Sequence, residues 1–162
     1  MTKVTTDISI DDPAWSKKRL GLQKMSESVL SDTWRQIKGK SKASPLISVV
    51  FTNDKAIRKI NKKFRAKDKP TNVLSFQIWP DPSALPPTII PAGDLVFAFE
   101  TIEREALENG ISFKHHLTHL MIHGFLHLFG YDHMNDAEAE IMEALEAKIL
   151  KKMGIKNPYA DL

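Results

Sequence analysis

The sequence predicts an α/β or α+β sandwich on one small sheet. Four short apolar runs are interleaved with about five amphipathic helical segments, and the chain is long enough for one hydrophobic core. With 162 residues, 42% of them hydrophobic, a single domain over 1–162 accounts for the whole chain, and no repeat or linker interrupts it.

Residues 3 to 10 alternate Val4, Thr6, Ile8 and Ile10 with polar neighbours, the period-two pattern of a half-buried strand. From Asp12 a long amphipathic helix is predicted, with Pro13 in its first turn. Trp15, Leu22, Met25, Val29, Leu30, Trp34 and Ile37 lie broadly on one side, and Gly39 ends it. PLISVVF at 45–51 is β-branched and apolar throughout, as a central strand requires. Thr52, Asn53 and Asp54 then offer N-caps to a helix with Ile57, Ile60, Asn61 and Phe64 at helical spacing, and basic residues crowd its other faces. NVLSFQI at 72–78 is the third strand.

The five prolines from Pro80 to Pro91 predict a surface loop. DLVFAF at 94–99 is the fourth strand, followed by a short helix over 100–109 that stops at Asn109-Gly110. Ser112 caps a helix running to Phe129, with Gly130 as its stop. The last helix starts at Asn135 or Asp136. Ile141, Leu145, Ile149 and Leu150 are predicted to pack inward, and Glu138, Glu140, Glu143 and Glu146 to face water.

Composition narrows the chemistry. Cysteine is absent, so disulfides and thiolate ligands are excluded and any metal must be held by nitrogen and oxygen. The N-terminus has no basic start followed by an apolar stretch, and no window approaches the roughly 20 apolar residues of a spanning helix. The chain therefore reads as soluble, cytoplasmic and without a membrane partner. Its net charge of +3 is what ordinary solubility explains, and only the placement of that charge carries information.

HGFLHLFGYDH at 123–133 is the segment richest in chemistry. His123 and His127, four residues apart on a helix, project from one face and can share an ion, and Gly130 lets a short turn return His133 to complete a three-nitrogen set. Such a set leaves one coordination position open, the mark of a catalytic metal. His119 is one turn earlier, too far along the axis to join the set, and is expected to support a ligand or face substrate. His115 and His116 read as ordinary helix histidines. Asp132 either orients a ligand imidazole or water, or simply forms the turn. The spacing also matches the zinc-protease motif HExxHxxGxxH, except that Gly124 stands where the motif has its general-base glutamate. A metalloprotease-like hydrolase is thus the runner-up.

NKKFRAKDKPTNVLSF at 61–76, GDLVF at 93–97 and the histidine segment together strongly resemble the YbeY family of bacterial endoribonucleases, in a match running from about Ile47 to Tyr159. The resemblance implies an α+β fold in which a small, mostly four-stranded mixed sheet and several helices surround a central helix carrying the metal ligands. It implies zinc on His123, His127 and His133, a functional Arg65, and cleavage of single-stranded RNA. It also implies association with the ribosome and its proteins, in 3′ end maturation of small-subunit ribosomal RNA and in removal of defective ribosomes. In that setting Arg65 suits the charge that builds on a phosphodiester, and Lys62, Lys63, Lys67 and Lys69 suit flanking phosphates. Asp132, His116 and His119 are the candidates for proton transfer. A third reading is an RNA-binding ribosome assembly factor whose metal is only structural.

Overall fold

A computed structural model describes residues 3–160. In chain order the elements are β1 (Thr5–Ile10), α1 (Ala14–Lys17), α2 (Leu22–Ile37), β2 (Ser44–Thr52), α3 (Asp54–Arg65), β3 (Val73–Gln77), β4 (Ile89–Ala98), α4 (Phe99–Glu108), α5 (Phe113–Leu128) and α6 (Asp136–Lys152). The four strands form one sheet in the order β1-β2-β4-β3. β2 is parallel to both β1 and β4, while β3 runs antiparallel to β4 at the edge, so the sheet is mixed and the fold is α+β.

Alternation along the strands sends side chains to two unequal faces. Ile47, Val49 and Phe51 of β2 and Leu95 and Phe97 of β4 join the main core with residues of α2, α5 and α6. On the opposite face Leu74, Val96 and Ala98 form a smaller cluster with Ile57 of α3, with Val50, Ile60 and Phe76 at the margin. α5 occupies the middle of the large side, packed against α2, α4, α6, β3 and β4. Its Leu117, Met121, Ile122, Phe125 and Leu126 are buried, as expected of a helix that is apolar nearly all round. Ser112 caps it by accepting from the His115 N–H.

Three expectations are corrected. The helix predicted from Asp12 to Gly39 is two helices, because Arg19 and Gly21 both adopt left-handed backbone angles (φ 52° and 64°) and turn the chain between α1 and α2. The amphipathic period runs through the break because Trp15 and Leu22 are both buried, Trp15 against Phe51, Phe99 and Phe113 with its Nε1 donating to the Thr52 carbonyl. The fourth strand starts at Ile89 instead of Asp94. Pro91 is tolerated there because the register with β2 shifts beside it, from Leu46↔Pro91 to Ile47↔Gly93, leaving Ala92 as an extra residue. The proline-rich loop accordingly ends before Ile89 instead of at Pro91 and holds one 3-10 turn, Pro82–Ala84.

The third correction is in α6. Its inward stripe is Met142, Glu146, Ile149 and Leu150, with Leu145 half-buried, whereas Ile141 is 61% exposed. Glu146, expected to face water, is wholly buried. The apolar positions of this helix are compatible with two neighbouring faces, and the carboxylate lies on the face that packs because it has partners there.

Candidate metal centre

α5 presents His119, His123 and His127 at four-residue steps along one side. The helix ends at Leu128, and Gly130, at φ 91°, turns the chain out through Tyr131, whose N–H returns to the Leu126 carbonyl at 3.2 Å. That turn brings the His133 ring centroid to 5.6 Å from His123 and 5.0 Å from His127. The Nε2 atoms of His123 and His127 face each other at 3.1 Å. One nitrogen from each of the three rings can be chosen so that all lie within 4.8 Å of one another, and the group can hold a metal ion.

Glu146 organises the inner end of this cluster. Its carboxylate contacts His123 Nδ1 at 2.5 Å and His119 Nε2 at 3.1 Å, and accepts from the Tyr159 hydroxyl. Burial works to raise the Glu146 pKa, but the hydrogen bonds from His119, His123 and Tyr159 outweigh it and hold it at about 2. Burial, together with the hydrogen bond to the same carboxylate, pushes the Tyr159 hydroxyl pKa upward. The Nδ1 contact with a carboxylate orients the His123 ring so that its Nε2 faces the space between the rings. Burial and the neighbouring His123 and His133 lower the His127 pKa, which also favours a neutral, ligating ring.

His119 therefore sits behind the three-ring cluster, on Glu146 and 3.2 Å from the Tyr159 hydroxyl. Asp132 is exposed and accepts from the His133 N–H at 2.7 Å, so its carboxylate braces the turn that presents that ring. His116 lies elsewhere: buried, it contacts Glu105 at 2.9 Å, and among the described residues its Nδ1 has no hydrogen-bond partner. His115 is exposed at the start of α5. Gly124 faces β3. A Cβ there would stand 3.0 Å from Leu95 Cδ2 and 3.2 Å from both Ser75 Oγ and Val73 Cγ2, so no glutamate side chain fits at the position the protease motif demands.

Arg65 ends α3, after which Ala66 takes a left-handed conformation (φ 57°) and the Lys67 N–H closes back on the Asn61 carbonyl. The Arg65 guanidinium donates to the Ser75 carbonyl at 2.6 Å, and the Ser75 hydroxyl donates to the Gly124 carbonyl at 3.0 Å, next to His123. One residue of β3 thus links the arginine to the histidine helix. Lys62, Lys63, Lys67 and Lys69 are all exposed around the same helix end. Asp68 engages part of this charge, pairing with Arg58 at 2.8 Å and approaching Lys62 at 3.9 Å.

Glu146 and Tyr159 were missed from the sequence. A glutamate in register with Met142, Ile149 and Leu150 was a legible signal for the first; nothing local to Tyr159 marked its contact with Glu146.

Fold and site together define an α+β protein with a three-histidine cluster, backed by a buried carboxylate, that can hold a metal ion. The family model described as "Endoribonuclease YbeY" matches residues 9–154, and the chain belongs to that family. Among curated relatives named Endoribonuclease YbeY, that of Sinorhizobium fredii is 45% identical over 99% of this chain and 95% of its own. That of Agrobacterium fabrum is 46% identical over 99% and 97%. The solution structure of TM1509 from Thermotoga maritima has the same fold, with a TM-score of 0.52 at 22% identity over 93% of this chain and 91% of that one. Among the described residues no helix is long and apolar enough to cross a membrane.

Proposed function

We propose that the chain is one zinc-dependent domain, 1–162, that cleaves single-stranded RNA as an endoribonuclease in the cytoplasm. Its work is maturation of the small-subunit ribosomal RNA 3′ end and ribosome quality control, with the ribosome and its proteins as partners. The family's name supplies the reaction class. The observation that carries the reading is the pairing of His123 Nδ1 with buried Glu146 while its Nε2 faces His127 and the His133 turn. A carboxylate behind one imidazole of a three-imidazole group is the arrangement that orients metal-ligating histidines, and neutral nitrogen donors suit zinc.

Zinc on His123, His127 and His133 would supply Lewis-acid stabilisation of charge on a phosphodiester. The remaining work falls to the protein's own groups. Arg65 is anchored by one contact to the Ser75 carbonyl, and its other guanidinium donors suit the negative charge that grows on the phosphoryl oxygens. Lys62, Lys63, Lys67 and Lys69 hold neighbouring phosphates, which makes binding fall steeply with salt. Asp132 fixes the turn bearing His133, and His119 with Tyr159 holds Glu146 in place. Asp132 and His119 are the candidate groups for proton transfer at the site. Product ends separate the two possible nucleophiles: a 2′,3′-cyclic phosphate identifies the substrate's 2′-hydroxyl and excludes direct attack by water.

The test is metal analysis of wild type and His127→Ala beside single-stranded RNA cleavage, with chelated protein as control. One equivalent of metal and chelator-sensitive cleavage, both lost in the variant, are expected. Metal-loaded wild type that leaves RNA intact would overturn the reading.

A further inference from the structure

Phe64 is a large aromatic side chain left mostly in solvent. It lies near the end of α3 in the run INKKFRAKDK and is 60% exposed, while the inward contacts of that helix are made by Ile57 and Asn61. Its ring packs against Phe76 of β3 in a T-shaped pair, with centroids 5.5 Å apart and planes at 70°. The Arg65 guanidinium lies over the other participant, 5.3 Å from the Phe76 centroid, and Lys63 Nζ is 5.2 Å from the centroid of Phe64. Aromatic rings interleaved with cations on an exposed surface match the chemistry of unpaired nucleotides, whose bases stack on rings while their phosphates pair with Lys and Arg.

Position in the sheet supports this. β3 is an edge strand, and its Asn72 carbonyl accepts from Ala98 of β4. By antiparallel alternation the backbone groups of Val73, Ser75 and Gln77 point away from β4, and Arg65 takes the Ser75 carbonyl on that outer side. Ser75 and Gln77 send their side chains to α5, and Leu74 and Phe76 send theirs to α3. The histidines therefore lie on one side of the edge strand and the two phenylalanines on the other, with Arg65 at the edge between them.

We propose that Phe64, supported by Phe76, is a stacking platform for a nucleobase flanking the scissile phosphate, and that it contributes to preference for single strands. A base in a duplex has both faces covered by its neighbours and cannot stack there. The inference rests on the ribonuclease reading but makes a claim about binding that is measured separately.

The experiment is direct binding of labelled single-stranded oligodeoxynucleotides to zinc-loaded, full-length protein, using one oligomer with bases and one abasic oligomer of equal length. Phe64→Leu, which keeps an apolar contact with Phe76 but removes the π-face, is expected to weaken binding of the base-bearing oligomer about tenfold. It should leave the abasic oligomer unaffected and the dependence on salt unchanged, and Phe64→Trp should restore affinity. Equal loss on both oligomers would assign Phe64 to the fold or to charge placement and overturn the proposal. No loss on either would overturn it too and leave the exposed ring to a protein partner. Failure of zinc-loaded wild type to cleave RNA would refute the ribonuclease reading, while the two oligomers would still judge the platform.

Discussion

Replacing Glu146 by Gln tests whether the buried carboxylate tunes the histidine cluster. The carboxylate contacts His123 and His119 and accepts from Tyr159, and one of its oxygens, Oε1, is the one that meets His123. A glutamine can present its carbonyl oxygen to His123 and its amide N–H₂ to the other two, since the tyrosine hydroxyl can accept and a histidine can change tautomer. The fold should therefore survive. What is lost is the carboxylate's negative charge beside His123, and that loss makes His123 Nε2 a weaker donor; removal of such an outer partner lowers metal affinity about 10- to 100-fold, or roughly 1.4 to 2.8 kcal/mol. Glu146→Leu has no acceptor at all. It leaves His123 Nδ1 without its acceptor and His119 and Tyr159 with only each other, and is expected to destabilise the apoprotein by about 2 kcal/mol. Zinc affinity by competition with a chromophoric chelator, and apoprotein stability by denaturant titration, measure the two effects separately. Wild-type zinc affinity in a folded Glu146→Gln protein would refute the role given to the carboxylate.

Three further outcomes are expected. Arg65→Ala should lower the cleavage rate about 100- to 1000-fold, as loss of a transition-state donor does, with RNA binding weakened far less. Parallel loss of binding and rate would place Arg65 on the backbone and favour the assembly-factor reading. Gly124→Ala should destabilise by about 1 kcal/mol in thermal or denaturant unfolding, because the contacts with Leu95, Ser75 and Val73 outweigh the gain in helix propensity. Unchanged stability would mean that β3 yields. The third concerns Glu105. Burial raises its pKa, but hydrogen bonds from His116 and Asn72 prevail and hold it below the usual carboxylate value. A lowered folded pKa gives stability that is present above the unfolded value and is lost as pH falls through the folded one. The stability difference between wild type and Glu105→Gln should accordingly be full near neutrality and shrink on acidification; a difference that grows with acid would refute the assignment.

Much of this protein is legible in local pattern. The four strands, the caps at Asn53, Ser112 and Asn135, and the Gly130 stop follow from period, cap chemistry and left-handed glycine, all of which act within a few residues. The spacing of His123, His127 and His133 belongs to the same class, because one helical turn and one tight turn are enough to bring the three rings together. Where two local signals conflicted, the stronger-looking one misled. Prolines argued against a strand at Ile89–Pro91, yet a register shift accommodates Pro91, and continuous amphipathicity concealed the break at Arg19 and Gly21.

Charge, length and the missing cysteines limited the chemistry, and the helical and turn spacings placed three imidazoles together, because such relations are encoded between near neighbours. Only tertiary structure decided that α6 turns Glu146 inward onto His119 and His123, that Tyr159 returns to the same carboxylate, and that Ser75 stands between Arg65 and Gly124. Those contacts span 10 to 49 residues of chain, and which face of a helix meets which strand is set by how all the layers pack at once, which no local period records.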